Sequence, residues 1–117
     1  DGYEEVLAIA RRADVGCCLD LGHAYMNAAR FGVELDPPAD FLRRVRHIHC
    51  HDADKIDHRP LVYGRVPCER VLLSAIRHGF DGAVVLEVPP KVFIETGGLD
   101  SLVQSIHKLK TISAAAA

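Results

Sequence analysis

In the segment HIHCHDADKIDH, residues 47–58, histidine recurs at 47, 49 and 51 and returns at 58, with aspartates at 52, 54 and 57 and a lysine at 55. Side chains at every second residue of a strand share a face, so His47, His49 and His51 line up if this stretch is extended. Four of the chain's seven histidines stand here. Imidazole binds metals and moves protons near neutral pH, and the plainer alternative is a histidine-rich edge facing solvent.

Two other places carry the same kinds of group. The apolar run VGCCLD ends on Asp20, with His23 three residues later, and GAVVLEV carries Glu87 near its end. The first and third runs are thus apolar along their length, and all three are polar at the C-terminal end. In parallel α/β folds that end is where ligands bind. A single acid there is equally a helix cap or an arginine partner, but three together argue for a site. Aspartate, histidine and glutamate form an oxygen and nitrogen donor set, which suits a divalent ion such as manganese, magnesium, zinc or cobalt better than a soft metal. Three protein ligands are evident, and carboxylates so placed also suit general acid/base transfer.

The elements that must hold these groups follow from periodicity. Tyr3, Val6, Leu7 and Ala10 share one side of an opening helix, with Glu4, Glu5, Arg11 and Arg12 on the other. VGCCLD is a first strand, and AYMNAARFG a helix stopped by Gly32. In LDPPADFLRRV, Asp36 caps and Pro37 opens a short helix that leads into the strand RHIHCHD. LVYG is a turn or loop, and Pro67 starts a helix with Val71, Leu72, Ala75 and Ile76 on its apolar side and Gly79 at its end. GAVVLEV is a third strand, ended by the breaker pair Pro89 and Pro90. A last helix from about Asp100 presents Leu99, Leu102, Val103, Ile106 and Leu109 on one face. The alternation predicts an α/β fold with three parallel βα units preceded by a helix. One domain covers residues 1–113, followed by an alanine tail at 114–117.

Composition narrows the function classes. The chain has 117 residues, about one ordinary domain, and 49% of them are hydrophobic, enough for a modest core. Fourteen basic residues stand against sixteen acidic ones without a long run of either sign, which disfavours nucleic acid as partner. No apolar run reaches the roughly 18–20 residues that span a bilayer, and the start lacks a signal-peptide layout. Cys17, Cys18, Cys50 and Cys68 fit neither zinc-finger nor thioredoxin spacing and are expected to be small buried residues of a cytoplasmic protein.

The motif CLDLGHA resembles the aspartate-x-x-histidine strand end of the xylose isomerase-like barrel superfamily, which includes sugar phosphate isomerases and epimerases and endonuclease IV-type repair enzymes. HIHCHDADKIDHRPLVYGRVPCERVLLSAIRHGFDGAVVLEV resembles the following strand, the histidine-containing loop and the last strand with its glutamate. The resemblance covers nearly the whole chain and implies a partial TIM-type barrel, the C-terminal portion of a (βα)8 barrel, with about 150 residues of N-terminal barrel not present, against a typical length near 250. It implies that Asp20, His49 and Glu87 bind a divalent metal and that Glu87 is also catalytic, as one of two proton-transfer carboxylates. His23, Lys55 and His58 would contact substrate, His23 and His58 serving a further metal in the endonuclease-like version. The loop departs from the usual Gly-Glu-Gly turn, with Val62 and Tyr63 in place of its first two residues. The fourth ligand and the partner glutamate would come from an earlier strand.

Three functions are therefore expected to compete. The first is a metal-dependent isomerase or epimerase acting on a sugar or sugar phosphate by proton transfer next to a carbonyl. The second is an endonuclease IV-type phosphodiesterase. The third is a non-catalytic half-barrel scaffold that forms a homo-oligomer or joins a missing N-terminal half, because a three-stranded piece of barrel exposes two sheet edges.

Overall fold

A computed structural model describes residues 2–62 and 64–116 of the chain, leaving Asp1, Tyr63 and Ala117 outside the described residues. Helix α1 (Tyr3–Ala13) leads into β1 (Cys17–Asp20), α2 (Leu21–Phe31), the single-turn α3 (Ala39–Leu42) and β2 (Val45–Cys50). Then follow α4 (Cys68–Arg77), β3 (Ala83–Leu86), a short α5 (Pro90–Glu95) and α6 (Gly98–Ala115). The strands form one parallel sheet in the order β1-β2-β3. Parallel neighbours need a crossover, and α2 with α3, then α4, supply it.

Register places the chemistry. Asp20 of β1 lies opposite His49 of β2, and His49 lies opposite Val85 of β3. Glu87 stands one residue past β3, but its N–H still donates to Cys50 O at 2.9 Å, so the pairing runs on far enough to aim it. Because side chains alternate, Asp20, His49, Val85 and Glu87 share a face. The opposite face of β2, with Ile48 and Cys50, is buried in the core with Leu7, Leu19, Leu72 and Ala75, and Val45, paired with Cys17 on the far side of a register shift, is buried there too.

Several elements differ from the sequence expectation, each for a local reason. Helix α2 starts at Leu21, immediately after β1, because Asp20 itself is the N-cap; His23 is therefore a helical residue. Helix α3 begins at Ala39 with Pro38 at the cap, and Asp36 instead pairs with Arg70 at 2.9 Å. Pro89 and Pro90 do end β3, but they also open α5, since proline loses nothing in a first turn. Helix α6 runs through Ala115, into the alanine stretch. Its buried residues are Ser101, Ser105 and Ile112, while Leu99, Val103 and Ile106 face outward. On α1 Val6 is likewise exposed. Cys17, Cys50 and Cys68 are buried as expected, but Cys18 is exposed on the open face of β1.

The segment from Asp52 to Val66 is irregular yet pinned at two points. Asp52, fully buried, accepts backbone N–H bonds from Ala53, Gly64, Arg65 and Val66, and its main chain exchanges both bonds with Arg59 at 2.7 and 2.9 Å. Farther on, the Leu61 N–H donates to Ser105 Oγ at 3.0 Å and Lys108 Nζ donates to Leu61 O at 3.2 Å. These bonds explain the buried Ser105 of α6, which satisfies a loop amide, not an aliphatic layer, whereas the buried Ser101 Oγ has no hydrogen-bond partner among the described residues.

Candidate metal centre

Asp20 is built into two structures at once. As N-cap, its Oδ1 accepts the His23 N–H at 2.9 Å, and its Oδ2 lies 2.8 Å from His23 Nδ1. Across the sheet, His49 Nδ1 lies 3.9 Å from Asp20 Oδ2 and 3.2 Å from Glu87 Oε2. The structure thus brings Asp20, His49 and Glu87 together at the C-terminal ends of adjacent strands. Ligands bonded to one ion at about 2.0–2.2 Å stand roughly 3–3.6 Å from one another. The His49 to Glu87 spacing meets that range, the His49 to Asp20 spacing is slightly wider, and Asp20 and Glu87 come within 4.8 Å of each other in a group with His51, so the acids and imidazoles gathered here are of the type and spacing a divalent ion takes.

Around this trio lie the loop residues. His58 Nε2 is 3.6 Å from Glu87 Oε2, and its ring centroid is 5.0 Å from that of His23. Asp57 joins the two rings, with Oδ1 at 2.9 Å from His58 Nδ1 and Oδ2 at 3.2 Å from His23 Nε2. His58 reaches this position with φ of 54°, a left-handed backbone that a non-glycine residue adopts at a cost. Lys55 is exposed and makes no ion pair or side-chain hydrogen bond among the described residues. His47 lies beside His49, its ring centroid 4.9 Å away in an edge-to-face contact.

His51 is the third histidine of the alternating row, and it does not face solvent. It is fully buried, and its Nε2 is 3.1 Å from Asp20 Oδ1. Two groups of side chains offer ligand atoms within 4.8 Å of one another, Asp20 with His51 and Glu87, and His23 with His51 and His58. Asp57 was missed altogether: an acid in a polar loop has no periodicity to set it apart, and only its place before His58 was available as a signal. Asp52, the last residue of the stretch RHIHCHD, belongs to the loop instead of the site, since its carboxylate is consumed by backbone amides.

Charge is distributed to keep Asp20 and Asp57 ionised. Burial works to raise the Asp20 carboxyl, but the hydrogen bond from His51 and the His23 backbone N–H outweigh it and hold the group well below the usual carboxylate range. Asp57 is held below its ordinary value chiefly by its hydrogen bond with His58, against a smaller opposing effect of burial. A negative pocket lined with imidazoles attracts a cation and can exchange protons with a bound hydroxyl or carbonyl compound.

A family model described as a xylose isomerase-like TIM barrel matches residues 2–112, a span that contains all three strands and every residue of this centre. No curated protein and no solved structure shows significant similarity to the chain.

Proposed function

This chain belongs to the xylose isomerase-like TIM-barrel family, and on that premise we propose that it carries the metal-binding strand ends of a divalent-metal-dependent isomerase or epimerase for a sugar or sugar phosphate. Its open three-stranded sheet fits part of such a barrel, which closes with eight strands. The observation that carries the reading is the position of His49 Nδ1 between Glu87 Oε2 and Asp20 Oδ2.

In this reading Asp20, His49 and Glu87 hold the ion, which when bound supplies Lewis-acid polarisation of two substrate oxygens. Glu87 takes the proton from the carbon next to the carbonyl. His58 and His23, fixed relative to each other by Asp57, orient substrate hydroxyls over that carboxylate. Lys55, free on the loop, reaches a phosphate or hydroxyl at the mouth. A second carboxylate to return the proton would come from a further strand, as would a fourth ligand. The chain would meet that strand at its open edges, through another copy or an N-terminal half.

Elemental analysis of the purified chain tests the reading directly. About one divalent ion per chain is expected, and Asp20→Ala, His49→Ala and Glu87→Ala should each abolish it. Retention of the ion in all three variants would sink the proposal. With the barrel completed, solvent deuterium should enter a sugar phosphate at the carbon beside the carbonyl, and Glu87→Gln should stop it.

The cluster of His23, His58 and Asp57 favours a second reading, an endonuclease IV-type phosphodiesterase with more than one ion. Two or more ions per chain, together with cleavage of DNA at abasic sites, would select it over the first.

A further inference from the structure

We propose that His51 is the positioning residue of this centre and not one of its ligands: a buried imidazole, protonated on Nε2, that ties the loop carrying His58 to the carboxylate of Asp20. The inference rests on the metal-centre reading for its effect on affinity, while the tie itself stands on geometry alone.

The direction of one hydrogen bond decides the tautomer. The backbone N–H of His58 donates to His51 Nδ1 at 2.9 Å, and a backbone N–H is always a donor, so Nδ1 keeps its lone pair. The neutral ring then carries its proton on Nε2, which lies 3.1 Å from Asp20 Oδ1 and donates to it. Asp52 O also lies 3.2 Å from Nδ1, but this contact is longer than the 2.9 Å His58 N–H bond, and the carbonyl is satisfied without it by the Arg59 N–H at 2.9 Å. Both ring nitrogens of His51 are thereby committed, and none is left for an ion.

The ring is also unable to turn away. On one side it lies against Gly22, where an added Cβ would fall 2.0–2.4 Å from three ring atoms, so only glycine leaves it room. On the other side the His58 ring stacks on it at 4.3 Å and 18°. This explains the third residue of the Asp-Leu-Gly-His stretch, 20–23: the glycine is the floor of the imidazole's slot. It also divides the work of Asp20. Its Oδ1 takes the His51 Nε2–H and the His23 N–H, which leaves Oδ2, 2.8 Å from His23 Nδ1 and 3.9 Å from His49 Nδ1, as the oxygen able to ligate once the His23 ring gives way to an ion. The strained His58 backbone is the far end of the same link. When the loop holds that conformation His51 is locked, and Asp20 is aimed.

The full chain, labelled with spin-active nitrogen in its histidines and titrated with spin-active cadmium, tests this by magnetic resonance. His51 is expected to show a proton on Nε2 and a bare Nδ1 before and after cadmium, with coupling to the metal appearing at His49. Coupling at His51, or a proton on its Nδ1, would overturn the proposal. The expected tautomer with no coupling at any histidine would instead overturn the metal-centre reading and uphold the tie. Variants supply a second readout. His51→Gln, whose amide can both donate and accept, should keep one ion with about a 10-fold weaker affinity, and His51→Leu should weaken it about 100-fold. Equal and complete loss of the ion in both would mean that His51 is a ligand. Gly22→Ala should reproduce the His51→Leu effect with His51 still present, and an unchanged affinity there would count against the slot.

Discussion

Asp52 shows how much of a loop can hang on one side chain. Its carboxylate is buried and satisfied by four backbone amides, a charge compensated entirely by dipoles. Asp52→Ala leaves those amides without an acceptor and should cost at least about 3 kcal/mol of stability, read from urea unfolding. The same variant should speed hydrogen exchange at Gly64 to Val66 before the strands exchange. Tyr3 offers a pH signature at the other end of the molecule. Its hydroxyl donates to Leu35 O at 2.6 Å, and burial, with Asp36 and Glu34 adding to it, pushes its pKa from 10.0 up to about 12. A group whose folded pKa is raised stabilises below its unfolded value and loses that contribution as pH rises through the folded one. Wild-type stability should therefore fall between pH 10.0 and about 12 more steeply than that of Tyr3→Phe, as urea midpoints across that window would measure.

At the scale of elements, α6 is the instructive case. Its sequence carries an aliphatic stripe at Leu99, Val103 and Ile106, yet the structure turns that stripe outward and buries Ser101, Ser105 and Ile112. Helical spacing identifies a helix and its candidate faces, but the face that is buried depends on what lies opposite. Here the opposite surface is the Leu61 backbone, which needs a hydroxyl and an ammonium more than another methyl group. Ile112→Ala should cost about 2–5 kcal/mol, whereas Val103→Ser should stay within about 0.5 kcal/mol; paired urea curves separate the two. The reverse order would restore the face expected from periodicity. Helix α4, by contrast, was legible in advance: Val71, Leu72 and Ala75 are buried as their spacing required, with Ile76 half-buried beside them, because they join the apolar core cluster that also holds Ile48 and Cys50 of β2.

For the whole molecule the open sheet is the dominant fact. Both outer strands have a free edge, and β3 is exposed on both faces, with Val84 at 37% and Val85 at 39% of their full exposure. Leu72, Ile76, Val84, Leu86 and Ile106 line a groove beside that edge. Unpaired edges with apolar flanks associate, so the sedimentation coefficient of the chain should rise with concentration. Val84→Lys, which places a charge on that edge, should shift the population toward monomer. A concentration-independent monomer in the wild type would remove self-association as the way the edge is covered. Among the described residues no helix, α6 included, is long and apolar enough to cross a membrane.

Much of this protein was determined by its sequence alone. Apolar runs ending in Asp20 and Glu87, with the alternating run through His49 between them, specify parallel strands with polar C-terminal ends, since alternation and apolar burial are local consequences of residue type. The family match over residues 2–112 agrees with the fold expected from that pattern. Tertiary structure decided what depends on neighbours distant in the chain. It bound His51 to the His58 amide seven residues on and to Asp20 thirty-one residues back, placed Asp57 between two imidazoles, and turned the serines of α6 inward. Hydrogen-bond direction and the fit of a ring against a glycine arise only when separate segments meet, and no residue's own propensity encodes them.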